Sequence, residues 1–382
     1  MHIAFNGWFW DQPHTGSGQY IRHLLAALRE LAPQHRYSLV VPAHMRTLDN
    51  LPPDVDVLHA PTRFGGDLGK VWFEQRSFPR AQRQLGADIA HIPYWGPPLA
   101  SPVPLVCTVL DVIPLAIPQY SSGFARRLYT SLVRAAARGA THILTISEAS
   151  KTDIVERIGV PADRISVTYL AADRTFRPDP DHAREASVRA RYGLDDIETF
   201  VLYLGSYTRH KNVDALLAAY TYVAQGTGGE VPLVLAGHPP AAWDAPQFPD
   251  LPGYIDDLGL TPFVRWIGPV DEADKPALYR LASVFVFPSR YEGFGLGPLE
   301  AMASGTPVVA CDTSSIPEVA GNAAFLVEPR DARAMGGAIL SLLTQPDHAA
   351  EMRDRGLARA RDFSWRSTAE GTLVAYTRVL NR

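Results

Sequence analysis

A chain of 382 residues is too long for one ordinary hydrophobic core, and with 46% hydrophobic and 20% charged residues it has material for two globular domains. Its formal charge of −4 argues against nucleic acid as a partner, which would need a basic stripe. The opening MHIAFNGWFW lacks the charged n-region and long apolar core of a signal peptide. No stretch approaches the roughly 18 uninterrupted apolar residues of a spanning helix, so a cytoplasmic protein is expected.

In chain order, the dominant rhythm is a short apolar run, a polar or glycine-bearing loop, then a helical period. His2–Asn6 is the first predicted strand. After a loop, Ile21, Leu24, Leu25, Leu28 and Leu31 recur at helical spacing. Further strands are predicted at Tyr37–Val41, Val55–His59, Asp88–His91, Leu105–Leu110 and His142–Ile146. Between about Phe176 and Asp196 the rhythm breaks into the polar RPDPDHAREASVRARYGLDD. It restarts with a strand at Thr199–Leu204 and a helix whose apolar face is Val213, Leu216, Leu217, Tyr220 and Val223. Pro232–Ala236, Val264–Ile267, Val284–Phe287, Pro307–Ala310 and Ala324–Val327 continue a second sheet, and Trp365–Arg382 reads as a closing helix.

Strands alternating with helices imply βαβ units and parallel sheets. The expected architecture is α/β, with two doubly wound, Rossmann-like domains facing a ligand crevice. The first spans 1–180, the second 195–365, and the helix of 366–382 packs back toward the first. In open parallel sheets the ligand lies beyond the carboxyl ends of the strands. Those ends carry His59, His91, Asp111 and Ser147 in the first domain, and Gly205, Gly237, Gly268, Pro288 and Asp312 in the second.

Four segments hold candidate chemistry. In YLGSYTRHKNVDALLAAY (203–220) a strand ends at Gly205, and a loop brings Arg209 and Lys211 to a helix amino terminus, where cations and free amides suit an anion. Lys211 is one of only four lysines, with Lys70, Lys151 and Lys275, so its placement beside Arg209 carries weight. A solvated loop with Asn212 as a plain helix cap explains the segment equally well. In FPSRYEGFGLGPLEAMASGTPVVA (287–310), Glu292 lies in a loop and Glu300 on the helix after it, with Gly293, Gly295 and Gly297 nearby. The glycines let backbone N–H groups approach a phosphate, and the carboxylates accept from hydroxyls. If Pro298 opens that helix, Glu300 sits where a capping-box glutamate belongs, although Gly297 has no side chain to reciprocate. The pair Gly16 and Gly18 in HTGSGQYIRHLL lacks the third glycine of a dinucleotide fingerprint and reads first as a flexible turn. Asp111 in CTVLDVIPL is a turn former or a catalytic carboxylate. Cys107 and Cys311 sit in apolar runs as buried thiols, with no disulfide or metal spacing.

GSYTRHKN followed some 80 residues later by SRYEGFGLGPLEAMASGTPVVA resembles the family 4 glycosyltransferases, retaining enzymes of GT-B fold. TGSGQYIRHLL, TVLDVIPL, ILTISEASKTDIVERIGVPADRISV and TSSIPEVAGNAAFLVEP fit the same family, whose mannosyl-type members build surface polysaccharides or glycolipids. The resemblance implies that Arg209 and Lys211 hold the donor diphosphate and that Glu300 binds ribose hydroxyls. Glu292, with Gly293, Phe294, Gly295 and Leu296, would orient the transferred sugar and its phosphate. Gly205 and Ser206 would line the donor site, Ile267 and Gly268 would face the nucleobase, and Gly16 and Gly18 would let their loop approach donor phosphate and acceptor. Asp111 inherits part of a catalytic role, because Leu110 stands where many members carry histidine.

The implied reaction moves a hexose, mannose favoured, from a nucleoside-diphosphate sugar to an acceptor hydroxyl on a glycan or lipid-linked carrier. GDP-mannose is the favoured donor and a UDP-sugar the alternative, with no metal and no other cofactor required. The rival readings are a nucleotide-sugar epimerase, a glycosyl phosphorylase, and a non-catalytic nucleotide-sugar-binding regulator. FARRLYTSLVRAAARGA (124–140) carries four arginines and an apolar stripe of Phe124, Leu128, Leu132 and Ala136. That pattern is a surface helix buried on one face, with peripheral docking to the inner face of a membrane as the minority reading.

Overall fold

The computed structural model describes residues 1–117 and 124–381. The chain divides into two compact units, Met1–Leu170 with Ser364–Arg382, and Ala171–Phe363. Each has its own core and its own parallel sheet.

The first unit contains β1 (His2–Asn6), β2 (Arg36–Pro42), β3 (Asp56–Ala60), β4 (Ile89–Ile92), β5 (Leu105–Val109), β6 (His142–Thr145) and β7 (Ile165–Val167), in the spatial order β3-β2-β1-β4-β5-β6-β7. Every residue of β1, β4, β5 and β6 is buried. Burial on both faces explains why these strands read as nearly continuous apolar runs rather than alternating ones. β7 was not predicted: its three residues are interrupted by Ser166 and flanked by the polar Arg164 and Thr168. The helix Gly16–Leu31 buries Ile21, Leu24, Leu25 and Leu28 as its spacing predicts.

The helix Trp365–Leu380 belongs to this first unit. Ser364 caps it by accepting from the amide of Ser367 at 3.0 Å. Its Thr368 hydroxyl donates to the carbonyl of Tyr169 at 2.6 Å, and Tyr376 meets His91 in the core, with 2.5 Å between the phenol oxygen and Nδ1.

The second unit contains β8 (Val201–Leu204), β9 (Leu233–Ala236), β10 (Val264–Gly268), β11 (Val284–Phe287), β12 (Val308–Cys311) and β13 (Phe325–Val327), in the order β10-β9-β8-β11-β12-β13. The helix Val213–Gly226 buries all five residues of its predicted apolar face, Val213, Leu216, Leu217, Tyr220 and Val223. The polar stretch expected to join two domains holds a helix, His182–Tyr192, that is part of this unit. Its charge is there for packing. Arg184 and Arg191 pair with the buried Asp274 at 2.7 and 2.9 Å, the Tyr192 hydroxyl donates to the same carboxylate at 2.9 Å, and Glu185 takes Arg280 at 2.7 Å.

One surface expectation changes. In the helix Phe124–Gly139, Leu128 is 61% exposed, and the residues it buries are Val133, Ala136 and Ala137. The expected stripe is therefore not a continuous buried face; the side chains of Phe124, Arg126 and Arg127 lie outside the described residues. Among the described residues, no helix is long and apolar enough to cross a membrane.

Candidate active site

In each sheet the first strand has the second on one side and the fourth on the other, so the winding reverses there and leaves a crevice beyond the strand ends. In the second unit the reversal falls between β8 and β11. The two loops leaving these strands carry the strongest candidates, 205–212 and 288–295, and they are tied together where the amide of Arg290 donates to the carbonyl of His210 at 2.8 Å.

Lys211 closes a single 3-10 turn, Arg209–Lys211. Its ammonium lies 2.5 Å from Oε1 of Glu292 and 5.4 Å from the centre of the Phe287 ring. The structure therefore joins these two predicted residues as a mostly buried ion pair. Asn212 follows in a left-handed conformation and makes no cap. Its side-chain amide instead donates to the carbonyls of Pro288 and Pro329, both at 2.9 Å, which fixes the loop from beneath. His210 hydrogen-bonds the Thr208 hydroxyl at 3.1 Å, which in turn meets the Ser206 hydroxyl at 3.1 Å. Burial, helped by Lys211 and opposed by Glu292, pushes the imidazole down to about 4, so it is neutral near pH 7.

Arg209 is not drawn to the same point. Its guanidinium reaches the carbonyls of Pro246, Ala245 and Phe248 at 3.1 to 3.5 Å, and its amide donates to the carbonyl of Gln247 at 2.9 Å. A tight bridge between Ala245 and Phe248 turns several carbonyls toward it. Among the described residues, Lys211 is the cation paired with Glu292.

The second loop is held from the far side by serines that the sequence reading passed over. Ser314 accepts from the amide of Glu292 at 3.0 Å and donates to its carbonyl, and Ser315 donates to the carbonyls of Glu292 and Phe294 at 3.0 and 2.7 Å. A tandem serine just before a proline-bearing helix, TSSIPE, was the available signal. The Phe294 ring is buried against Phe363 and is turned away from a ligand-facing role. Gly295 has φ 113° and caps the helix Leu296–Ala303. A side chain there would be strained, and a Cβ would fall 2.7 Å from Ile316.

Because the helix begins at Leu296, Pro298 is its third residue and Glu300 its fifth. Glu300 is past the first-turn amides, and the capping-box explanation falls away. Its buried carboxylate accepts from the Tyr279 hydroxyl at 3.2 Å. Burial pushes its pKa up to about 7; Lys275 opposes the rise and Glu272 adds to it.

Gly205, Gly237 and Gly268 follow or end three adjacent strands. The amide of Gly205 donates to the carbonyl of Ala236 at 3.0 Å, and that of Gly237 to Gly268 at 2.8 Å. At Gly237 a Cβ would lie 1.9 Å from the carbonyl oxygen of Gly205. Ile267 and Gly268 are half-buried at the irregular end of β10, beside packed rings of Tyr207, Trp243 and Trp266 whose centres are 5.1 to 5.7 Å apart. These aromatics were not predicted either, being 36 and 23 residues apart.

In the first unit, Gly18 lies where a Cβ would fall 2.0 Å from the carbonyl oxygen of Gln12. Its missing side chain serves its own loop, and its amide donates to the capping Thr15 hydroxyl at 3.1 Å. Gly16 faces open space. Asp111 lies beyond β5, which ends at Val109, and accepts from the amide of Ile113 at 3.0 Å as a turn former. His91 and Ser147, expected at open strand ends, are structural: His91 is buried against Thr108 and Tyr376, and Ser147 caps the helix Glu148–Asp153. Cys107 and Cys311 are buried free thiols.

Residues 14–176 match the pattern described as Glycosyltransferase Family 4, and residues 185–359 that described as Glycosyl transferases group 1. The O-antigen chain mannosyltransferase B of Escherichia coli is 33% identical over 302 residues, 78% of this chain and 77% of that protein. The chain belongs to the family 4 glycosyltransferases. The serotype-specific mannosyltransferase WbdA of Escherichia coli is 30% identical over 72% of this family 4 chain, but the match spans only 33% of WbdA. Anabaena HepE, solved in complex with UDP and glucose, superposes with a TM-score of 0.72 at 18% identity, covering 99% of both chains. That likeness establishes the shared GT-B fold of two Rossmann-like units.

Proposed function

We propose that this glycosyltransferase is a retaining enzyme that moves mannose from GDP-mannose to a hydroxyl of a growing glycan or lipid-linked carrier. The observation that carries the donor reading is the Lys211–Glu292 pair at the β8/β11 reversal, with glycine-flanked amides and the buried Glu300 on the same loop and helix. An ammonium beside a glycine-rich loop at a helix start suits a diphosphate, and the two carboxylates suit sugar and ribose hydroxyls. The mannosyl reading is supported by the likeness to the Escherichia coli O-antigen chain mannosyltransferase B, 33% identical over 78% of this chain. A UDP-sugar is the alternative donor.

In the reaction proposed, the bond from the anomeric carbon to the diphosphate oxygen breaks and one to the acceptor oxygen forms on the same face. The acceptor proton passes to the departing diphosphate, and Lys211 stabilises the charge developing there. Arg209 is the second cation in this reading, released from its long carbonyl contacts. No metal enters the scheme, and among the described residues no three potential ligands stand together.

A thermal-shift panel of GDP, UDP and their sugars, with Lys211→Ala beside the parent, tests the donor site. One nucleotide should raise the midpoint, and the variant should bind it with a loss of about 1.5–3 kcal/mol, roughly ten- to a hundredfold. No shift at millimolar nucleotide, or an equal shift in the variant, refutes the site. Transfer should survive a chelator, and loss of activity restored by a divalent ion would overturn the metal-free scheme. Retention is read from the anomeric signal of the first product.

A further inference from the structure

Glu300 is a mostly buried carboxylate whose one hydrogen bond among the described residues comes from another element, the helix Lys275–Leu281. The donor is Tyr279, itself fully buried and held on three sides. Its ring meets Phe285 edge-on at 5.1 Å and Phe176 at 5.9 Å, and its carbonyl accepts from the Thr306 hydroxyl at 2.6 Å. The helix carrying it is anchored at its start, where the buried Asp274 receives Arg184, Arg191 and Tyr192. The phenol held in this way presents its hydroxyl to Oε2 of Glu300 at 3.2 Å.

We propose that Tyr279 is a positioning residue of the donor site, holding the Glu300 carboxylate so that its remaining lone pairs meet the two ribose hydroxyls of the nucleotide. This rests on the reading of Glu300 as the ribose-binding carboxylate. A carboxylate accepts about four hydrogen bonds, so one from Tyr279 leaves room for both hydroxyls of the diol. Without the phenol, the side chain has other rotamers and loses the one neutral donor that favours its charged form.

The charged and titratable groups around Glu300 are few. Tyr279 and Lys275 lie on the facing helix, Glu272 before it, and Asp173 on the segment that opens the unit. The tyrosine bond and Lys275 favour the carboxylate; burial, Glu272 and Asp173 oppose it. Removing the phenol therefore raises the pH below which Glu300 is protonated and stops accepting from the ribose.

The test is calorimetric titration of the full chain with whichever of GDP and UDP it binds more tightly, and with the 2′,3′-dideoxy form of that nucleotide. Tyr279→Phe keeps the buried ring, so folding is preserved. It should weaken the ribonucleotide by roughly three- to tenfold, the size of one hydrogen bond, and leave the dideoxy form within about twofold. The pH at which ribonucleotide affinity falls should also move upward. Equal losses for both nucleotides, or an unmoved pH profile, overturn the proposal. Glu300→Gln separates it from the reading beneath it. If that variant loses no preference for ribose, the ribose assignment itself fails; if it does while Tyr279→Phe changes nothing, only the positioning role fails. A parent that binds neither nucleotide removes both.

Discussion

Glu300 carries opposed demands. Its carboxyl has an ordinary value of 4.5 and rises to about 7 in the folded unit because burial disfavours the charge. The sign of the consequence is fixed. Below pH 4.5 the group is protonated whether the chain is folded or not, and it costs nothing. As pH rises toward 7, the unfolded chain loses the proton first and stability falls. Glu300→Gln has no proton to lose, so above pH 7 the second unit should be more stable than the parent by up to about 3 kcal/mol, converging with it near pH 4.5. Denaturant unfolding at pH 5 and pH 8 measures this, and equal stability of the two proteins at both values refutes it. A residue that destabilises its own unit is retained for a reason other than folding, in keeping with a ligand-facing role. Ser314 poses a related trade. It holds the Glu292 backbone through both its amide and its carbonyl, and does so at φ 57°, a conformation few side chains adopt. Ser314→Gly should relax that strain yet loosen the loop. We expect a loss of transfer of about tenfold, near the value of one or two hydrogen bonds, with little change in melting temperature. Unchanged transfer would show that the loop needs no such support.

At the scale of elements, legibility followed period and length. Most of the twelve predicted strands stood out because buried parallel strands leave apolar runs, and β7 was missed because Ser166 interrupts its three residues, whereas the equally short β13 closes the apolar run Ala323–Val327. The candidate site was half legible. Lys211, Glu292 and Glu300 stood out because unusual residues shared segments with glycines and a helix start. Their supports did not, since Tyr279 is 21 residues from Glu300 and Ser314 is 22 from Glu292, and only folding brings them together. The helix His182–Tyr192 misled for a different reason. A charged, proline-bounded stretch normally signals a linker, but here its arginines converge on one buried carboxylate. Asp274→Ala should therefore free the helix Lys275–Leu281 at its start. The arginines are partly exposed and can return to water, so a loss of about 1–3 kcal/mol is expected, below that of a fully buried pair. Nucleotide affinity should fall with it, because Tyr279 rides on that helix. Full affinity in a variant that has lost stability would separate the two.

For the whole molecule, the chain crosses from one unit to the other twice, and the last crossing has consequences. Residues 171–363 form the second unit without help from either end, with a core that includes both sides of the β8/β11 reversal. The first unit is different, because it is discontinuous and its last helix is part of its interior. Thr368, Ala369, Thr372, Ala375, Tyr376 and Val379 are buried there, and Tyr376 is the partner of Nδ1 of His91. Burial pushes that histidine down to about 3, so in the intact unit it is neutral near pH 7. Ending the chain before Ser364 would expose the face covered by those six residues and remove the Tyr376 partner of His91. Each buried apolar side chain adds to that, and the sum approaches the total stability of an ordinary domain. The truncated protein should thus lose the unfolding transition of its first unit but keep that of its second. The fragment 171–363 expressed alone should fold and bind the same nucleotide as the full chain, without transferring sugar. Circular dichroism on the truncation and calorimetry on the fragment decide the matter. A fragment that folds but binds no nucleotide would mean the donor site needs residues of the first unit, whereas an intact first transition after truncation would show that the final helix is only laid upon it.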